Sequence, residues 1–179
     1  MAIAYVDANG VTTPDNWTLM AGASKVAAVA SLDDEATSYI RSGTTIQTYQ
    51  TFTCAPPLTA ADVITAIIIR ARCRRGGTSD CTLRLGYSFT PQGGGTQTNE
   101  SVAGAMNAGV NWADFSFTDS GLSVAWGSGM TFWIRNTQGR NLDCTTLYAE
   151  ITYTPGATAA AGPMVNALRL KSKLRGLVL

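Results

Sequence analysis

The chain has 179 residues, enough for one domain with a sizeable core, and only 14% of them are charged. Lysine and arginine number 13 against 12 acidic residues and there is no histidine, which removes the commonest general base, the usual activator of a Ser or Cys nucleophile and the commonest metal ligand. Abundant Thr, Ser, Gly and Ala predict a β protein with many turns; no run reaches membrane-spanning length, and no broad basic excess marks nucleic acid as a partner.

Residues 1–17 lack a charged segment ahead of an apolar one, so export by a signal peptide is not expected. Residues 1–6 alternate as a short strand, Asn9-Gly10 and Pro14-Asp15-Asn16 signal turns, and residues 17–19 begin another strand. Residues 20–32 fit either a short alanine-rich helix or an irregular crossing. Asp33-Asp34-Glu35 reads as a solvated turn rather than a metal site, since three adjacent carboxylates make poor ligand geometry. Residues 44–54 form a Thr-rich strand that Pro56-Pro57 ends.

The strongest strand is 63–73, with Ile67, Ile69, Ala71 and Cys73 on one face and Ile68, Arg70, Arg72 and Arg74 on the other. Residues 81–89 answer it with Cys81, Leu83, Leu85, Tyr87 and Phe89 in phase, which reads as a hairpin through residues 74–80. Cysteines stand at 54, 73, 81 and 144 without a CxxC pair, so a zinc site is not expected. Cys73 and Cys81 are candidates for a disulfide stapling that hairpin, reduced thiols being the default in a cytosolic protein. Arg72, Arg74, Arg75 and Arg84 gather as a basic patch near it, facing phosphate or an acidic partner, or serving as a solvated edge that discourages aggregation.

Residues 91–100 are a glycine-rich loop and 101–111 a small-residue edge strand or loop. Residues 112–118 alternate as a strand, with turns at 119–121 and 126–129. Residues 130–134 are a further strand, 137–141 a turn and 145–154 the last body strand. About eight short strands without a helix series predict an all-β, antiparallel, jelly-roll-like β-sandwich spanning residues 1–155.

Residues 156–179 read as a linker and an extended C-terminal arm. Arg169, Lys171, Lys173 and Arg175 alternate with Leu168, Leu170 and Leu174, and Leu177 follows. The arm holds four basic and no acidic residues, leaving residues 1–155 with nine against twelve. The expectation is a strand that docks on a neighbour's acidic sheet edge; the alternatives are the body's own last strand or a frayed terminus.

A catalytic constellation is not found: there is no GxSxG, phosphate loop or dinucleotide fingerprint, and no cofactor is expected. Asp114 and Glu150 are the carboxylate pair that glycoside cleavage would need. Trp112, Trp126 and Trp133 lie close in sequence; Trp112 and Trp126 are candidates for a sugar-stacking platform, although a buried ring suits Trp126 and Trp133 as well.

The order DNW at 15–17, LDDEATSYIRS at 32–42, IIIRARCRRGG at 67–77, LRLGYSF at 83–89, NWADFSFTDSGLSVAWG at 111–127 and LYAEITYTP at 147–155 resembles a β-sandwich module of tailed-bacteriophage structural proteins. The resemblance implies a non-enzymatic virion protein of decoration, collar or tail-associated type, assembled in the host cytoplasm. Its implied partners are copies of itself in a homo-oligomer and other virion proteins, major capsid or tail and collar chains. A capsid decoration or cement role anchored by the arm is the first expectation; a tail- or collar-associated module binding host-surface glycans is the second.

Overall fold

A computed structural model describes residues 1–30, 38–102 and 106–156. The chain forms an antiparallel β-sandwich. The first sheet, A, contains β1 (Ala2–Asp7), β3 (Thr18–Ala21), β4 (Tyr39–Arg41), β6 (Val63–Arg75), β11 (Leu142–Thr154) and the first half of β10 (Ala113–Asn136). The second sheet, B, contains β2 (Gly10–Asp15), β5 (Thr48–Cys54), β7 (Cys81–Pro91), β8 (Gln97–Glu100), β9 (Met106–Ala108) and the second half of β10. Strand β10 thus belongs to both sheets: it pairs with β6 from Ala113 to Ala125 and with β7 from Trp126 to Asn136.

The period-two pattern places the core between the sheets. Ile64, Ile67, Ile69, Leu147, Ala149 and Ile151 bury from sheet A, and Phe52, Leu83, Leu85, Tyr87, Phe132 and Ile134 from sheet B. Each large apolar side chain buried this way contributes roughly 1.5–3 kcal/mol. Aromatic pairs knit the core: Tyr87 meets Phe117 across the layers at 6.4 Å, and Phe52 meets Phe132 on the neighbouring strand within sheet B at 6.2 Å. The alanine-rich segment resolves into a short helix, α1 (Lys25–Ala30), whose first turn is capped by the Ser24 hydroxyl accepting from the Ala27 N–H at 3.1 Å.

Two sequence expectations change. Strands β6 and β7 are not a hairpin: β6 pairs with β10 and β11, β7 with β8, β9 and β10, and residues 76–80 cross between the sheets. Two strands facing each other across a core carry the same apolar phase as two strands side by side, so the pattern alone does not separate them. The second change is at 119–121 and 126–129, where glycines accommodate register shifts inside one 24-residue strand instead of ending two short ones. Gly121 and Gly129 hold φ of 77° and 63°, conformations that L side chains rarely adopt.

The candidate disulfide between Cys73 and Cys81 is not formed, in line with the reduced-thiol default. All four cysteines are free and buried. Cys73 lies opposite Cys144 in the β6–β11 ladder and interacts with it, while the Cys81 Sγ lies 3.2 Å from Asn136 Oδ1. Burial pushes the Cys54 thiol up to about 12 and Cys81 to about 11, and it raises Cys73 as well.

Asp62 ties three segments together. Its carboxylate accepts from the Thr59 N–H at 2.6 Å, the Thr59 hydroxyl at 3.0 Å and the Gly156 N–H at 3.0 Å, and its carbonyl accepts from the Trp126 N–H at 2.8 Å. Burial works to raise its pKa, but the hydrogen bonds from Thr59 and Gly156 outweigh it and hold the carboxyl below its ordinary value. The expected arm, Leu168 to Leu177, and the acidic run Asp33–Glu35 lie outside the described residues.

Two measurements check this account. Titration with a thiol reagent should find little reaction in the native protein, because all four cysteines are buried and raised pKa values leave scant thiolate at Cys54, Cys73 and Cys81 near neutrality. Without reductant, all four cysteines should react in denaturant; two would instead signify a disulfide. Asp62→Asn should destabilise the fold by roughly 1.5–3 kcal/mol near neutral pH. Because the folded carboxyl titrates lower than the unfolded one, the difference in Tm should hold above the unfolded value of 3.8 and close as pH falls through the folded one.

Candidate functional site

The outer face of sheet A is laced with ion pairs. Arg70 meets Glu150 at 2.5 Å and Arg72 meets Asp114 at 3.0 Å. Asp114 and Glu150 therefore stand on strands separated by β6, each held by its own arginine, and do not face each other across a cleft. The expected arginine patch is also divided: Arg72 and Arg74 lie on sheet A and Arg84 on sheet B, while Arg75 pairs with Asp80 at 2.9 Å. Its members separate because β6 and β7 are in different layers.

Trp112 belongs to the sheet A end of the molecule. Arg74 lies over its ring at 4.5 Å, Tyr39 meets it edge-on at 6.4 Å, and buried Asp143 accepts from both Arg41 and Arg74. Trp126 is only 6% exposed and stacks on Phe89 at 5.6 Å, so it is core rather than platform. Neither is the tryptophan that lines a groove.

That residue is Trp133. On sheet B the register aligns Thr12, Thr51, Trp133, Gly86 and Glu100 in one row across five strands. Tyr49, Arg135 and Arg84 form the row on one side, and Thr53, Thr131, Ser88 and Thr98 the row on the other. Inward Phe132 and Ile134 force Trp133 to the outer face. The indole lies against the β7 backbone, because a Cβ built at Gly86 would stand 2.6 Å from its Cε2 and Cζ2. The Trp133 Nε1–H donates to Glu100 Oε1 at 3.0 Å, fixing the ring.

Beside the ring is an open groove of about 250 Å³ lined by Thr13, Pro14, Tyr49, Thr51, Thr131 and Trp133. Thr13 and Pro14 stand at a register shift of β2 between Thr12 and Asp15, where a proline removes no ladder bond, and so form a wall. The Arg135 guanidinium lies over Tyr49 at 4.8 Å and donates to Glu100 Oε2 at 2.9 Å; Arg84 donates to the same oxygen at 3.0 Å. The arrangement offers an aromatic surface, hydroxyls and a charged cluster, with no nucleophile–base pair. Among the described residues, no three His, Cys, Asp or Glu gather as a metal site.

No family model matches the chain, and no curated protein sequence matches it. Solved structures do. The N-terminal CBM22-1-CBM22-2 tandem domain of Paenibacillus barcinonensis Xyn10C is 12% identical with a TM-score of 0.51, over 88% of this chain and 48% of that one. The fold is similar to that of carbohydrate-binding modules. This chain spans about half of the tandem. The CBM22-1 xylan-binding domain of the same protein aligns over 82% of this chain and 92% of its own, at 13% identity and TM-score 0.48. A bacteriophage CBA120 tailspike domain aligns over 82% of this chain and 19% of its own, at 10% identity and TM-score 0.43.

Two sequence signals point to this groove. Trp133 is out of phase with the apolar residues that flank it, and Gly86 sits alone inside an otherwise strong strand, the usual mark of a close approach. Gly86→Ala should push the indole off the sheet and shift the β8 edge, because the added Cβ would also stand 2.8 Å from the Asn99 carbonyl oxygen. Tryptophan emission should shift while far-UV circular dichroism stays unchanged, and the shift should vanish in a Trp133→Phe background.

Proposed function

We propose that the protein is a non-catalytic glycan-binding module that holds its ligand against the outer face of sheet B. The observation that carries this reading is the Trp133 ring, laid over Gly86 and fixed by Glu100 at the side of an open groove. A pyranose presents an apolar C–H face and a rim of hydroxyls. An aromatic surface takes the first, and convergent polar groups such as Thr51, Thr131 and Arg135 take the second. The fold likeness to the carbohydrate-binding tandem supports the reading at the level of architecture.

The resemblance of the sequence to phage structural proteins supports a setting for such a module, the tail or collar of a virion with a host-surface glycan as ligand. The capsid-decoration role depends on the arm, which lies outside the described residues. Mass spectrometry of purified particles tests the setting; absence of the chain would remove it without touching the glycan reading.

A glycan array followed by calorimetry tests the function. Trp133→Ala should lose about tenfold or more in affinity, a difference of ~1.4 kcal/mol, with little change in Tm, while Trp112→Ala should bind like wild type. Undiminished binding by a folded Trp133→Ala protein would move the site elsewhere, and an array without hits would remove the glycan reading.

A further inference from the structure

We propose that the ligand is an acidic glycan, with a sugar carboxylate of the uronic acid class read by Arg84 and Arg135 beside the stacked ring; this rests on the glycan reading above. The argument is one of unmatched charge. Arg84 and Arg135 both donate through Nη1 to one oxygen of Glu100, whose other oxygen is taken by the Trp133 indole. Two guanidinium groups thus share a single carboxylate. The nearby pair Asp15 and Lys25 neutralise each other and leave the excess unchanged.

The donors are also unmatched. The Nε–H groups of Arg84 and Arg135 are both buried without a partner, as is that of Arg75 beside Asp80; only here, among the described residues, do two of them meet on one carboxylate. A withdrawn, unpartnered donor costs stability, so the cluster is poorly satisfied by the protein alone. The contrast with the other shared carboxylate, Asp143, is direct. There Arg41 and Arg74 each engage Asp143 through Nε, at 2.6 and 3.3 Å, and the rings of Tyr39 and Trp112 cover them. That cluster carries the same two-to-one charge ratio, but its Nε donors are engaged. On sheet B the Tyr49 ring lies over Arg135 at 4.8 Å, yet both Nε donors stay unmatched and the excess positive charge stands beside an open groove. A carboxylate placed there would neutralise that charge and accept from the outer guanidinium nitrogens in the planar geometry that arginine offers.

The test is calorimetry of the 179-residue chain with matched probes: oligogalacturonate and cello-oligouronate, each beside its carboxyl-reduced counterpart, and a sulfated neutral oligosaccharide. At least one uronate should bind roughly tenfold or more tighter than its reduced form. That advantage should shrink at about 0.5 M salt and fall to near parity in Arg84→Gln and Arg135→Gln. Arg84→Lys, which keeps the charge without the fork, should retain part of it. Circular dichroism and Tm report whether the variants fold; if one does not, the wild-type comparison of acidic against reduced probes still decides. Equal affinity for acidic and reduced forms would overturn this inference and leave the glycan reading standing. Tight binding of the sulfated probe with no preference for uronates would overturn the carboxylate assignment. Failure of every probe, neutral ones included, would overturn both readings.

Discussion

One strand holds this molecule together. β10 runs for 24 residues and supplies the neighbour of β6 in one sheet and of β5 and β7 in the other. A single strand that serves both layers has to change its pairing partner while remaining extended. It does so through glycines: Gly121 and Gly129 take positive φ, and Gly127 passes so near the β7 backbone that a Cβ would stand 2.3 Å from the Thr90 carbonyl oxygen. The backbone hydrogen bonds from the Trp126 N–H to Asp62 and from the Gln92 N–H to Ala125 pin the crossing from either side. A side chain at Gly127 would therefore act on both sheets and not on a local turn.

The same strand determines where the groove is. Beyond the crossing, Met130, Phe132, Ile134 and Asn136 point inward, which leaves Thr131, Trp133 and Arg135 outward between β5 and β7. Trp133 is then held from below by Gly86 and at its nitrogen by Glu100. A ring already restrained in the free protein loses less freedom on binding than a mobile one, and this is the benefit of building a platform on strands and not on a loop.

Much of the fold was legible in the sequence, because a half-buried strand writes its burial with period two. The faces of β6 and β7 were read in the correct phase, and the class followed from them. Layer assignment was not legible. Cys73 and Cys81 share a phase and flank a short connection, which fits a hairpin and a crossing between sheets alike, and only the pairing of β6 with β10 and β11 separates the two. Glycine was misread for a related reason: in β10 it permits a bulge, while in a turn it permits a reversal, and both need positive φ. The tryptophans show the limit most plainly. Trp112 and Trp126 were the platform candidates, yet exposure of an aromatic depends on phase: Trp126 is core, and Trp112 and Trp133 both lie out of phase with the inward residues beside them, with Trp133 alone of these lining the groove.

The two outer faces of the sandwich carry similar residues to different ends. On sheet A the pairs Arg70–Glu150 and Arg72–Asp114 match cation to carboxylate across neighbouring strands. Such partly exposed pairs add little stability individually, and each matches one cation to one carboxylate; the excess on this sheet is at buried Asp143, which Arg41 and Arg74 share. On sheet B the cluster of Arg84, Arg135 and Glu100 is less exposed, with side chains 25%, 18% and 18% accessible. There the low dielectric strengthens whatever charge is unbalanced. Trp133 takes its orientation from Glu100 and Gly86, Glu100 is held by both arginines, and Arg135 is itself stacked on Tyr49. As proposed, an acidic sugar placed beside the restrained aromatic ring would balance the second guanidinium.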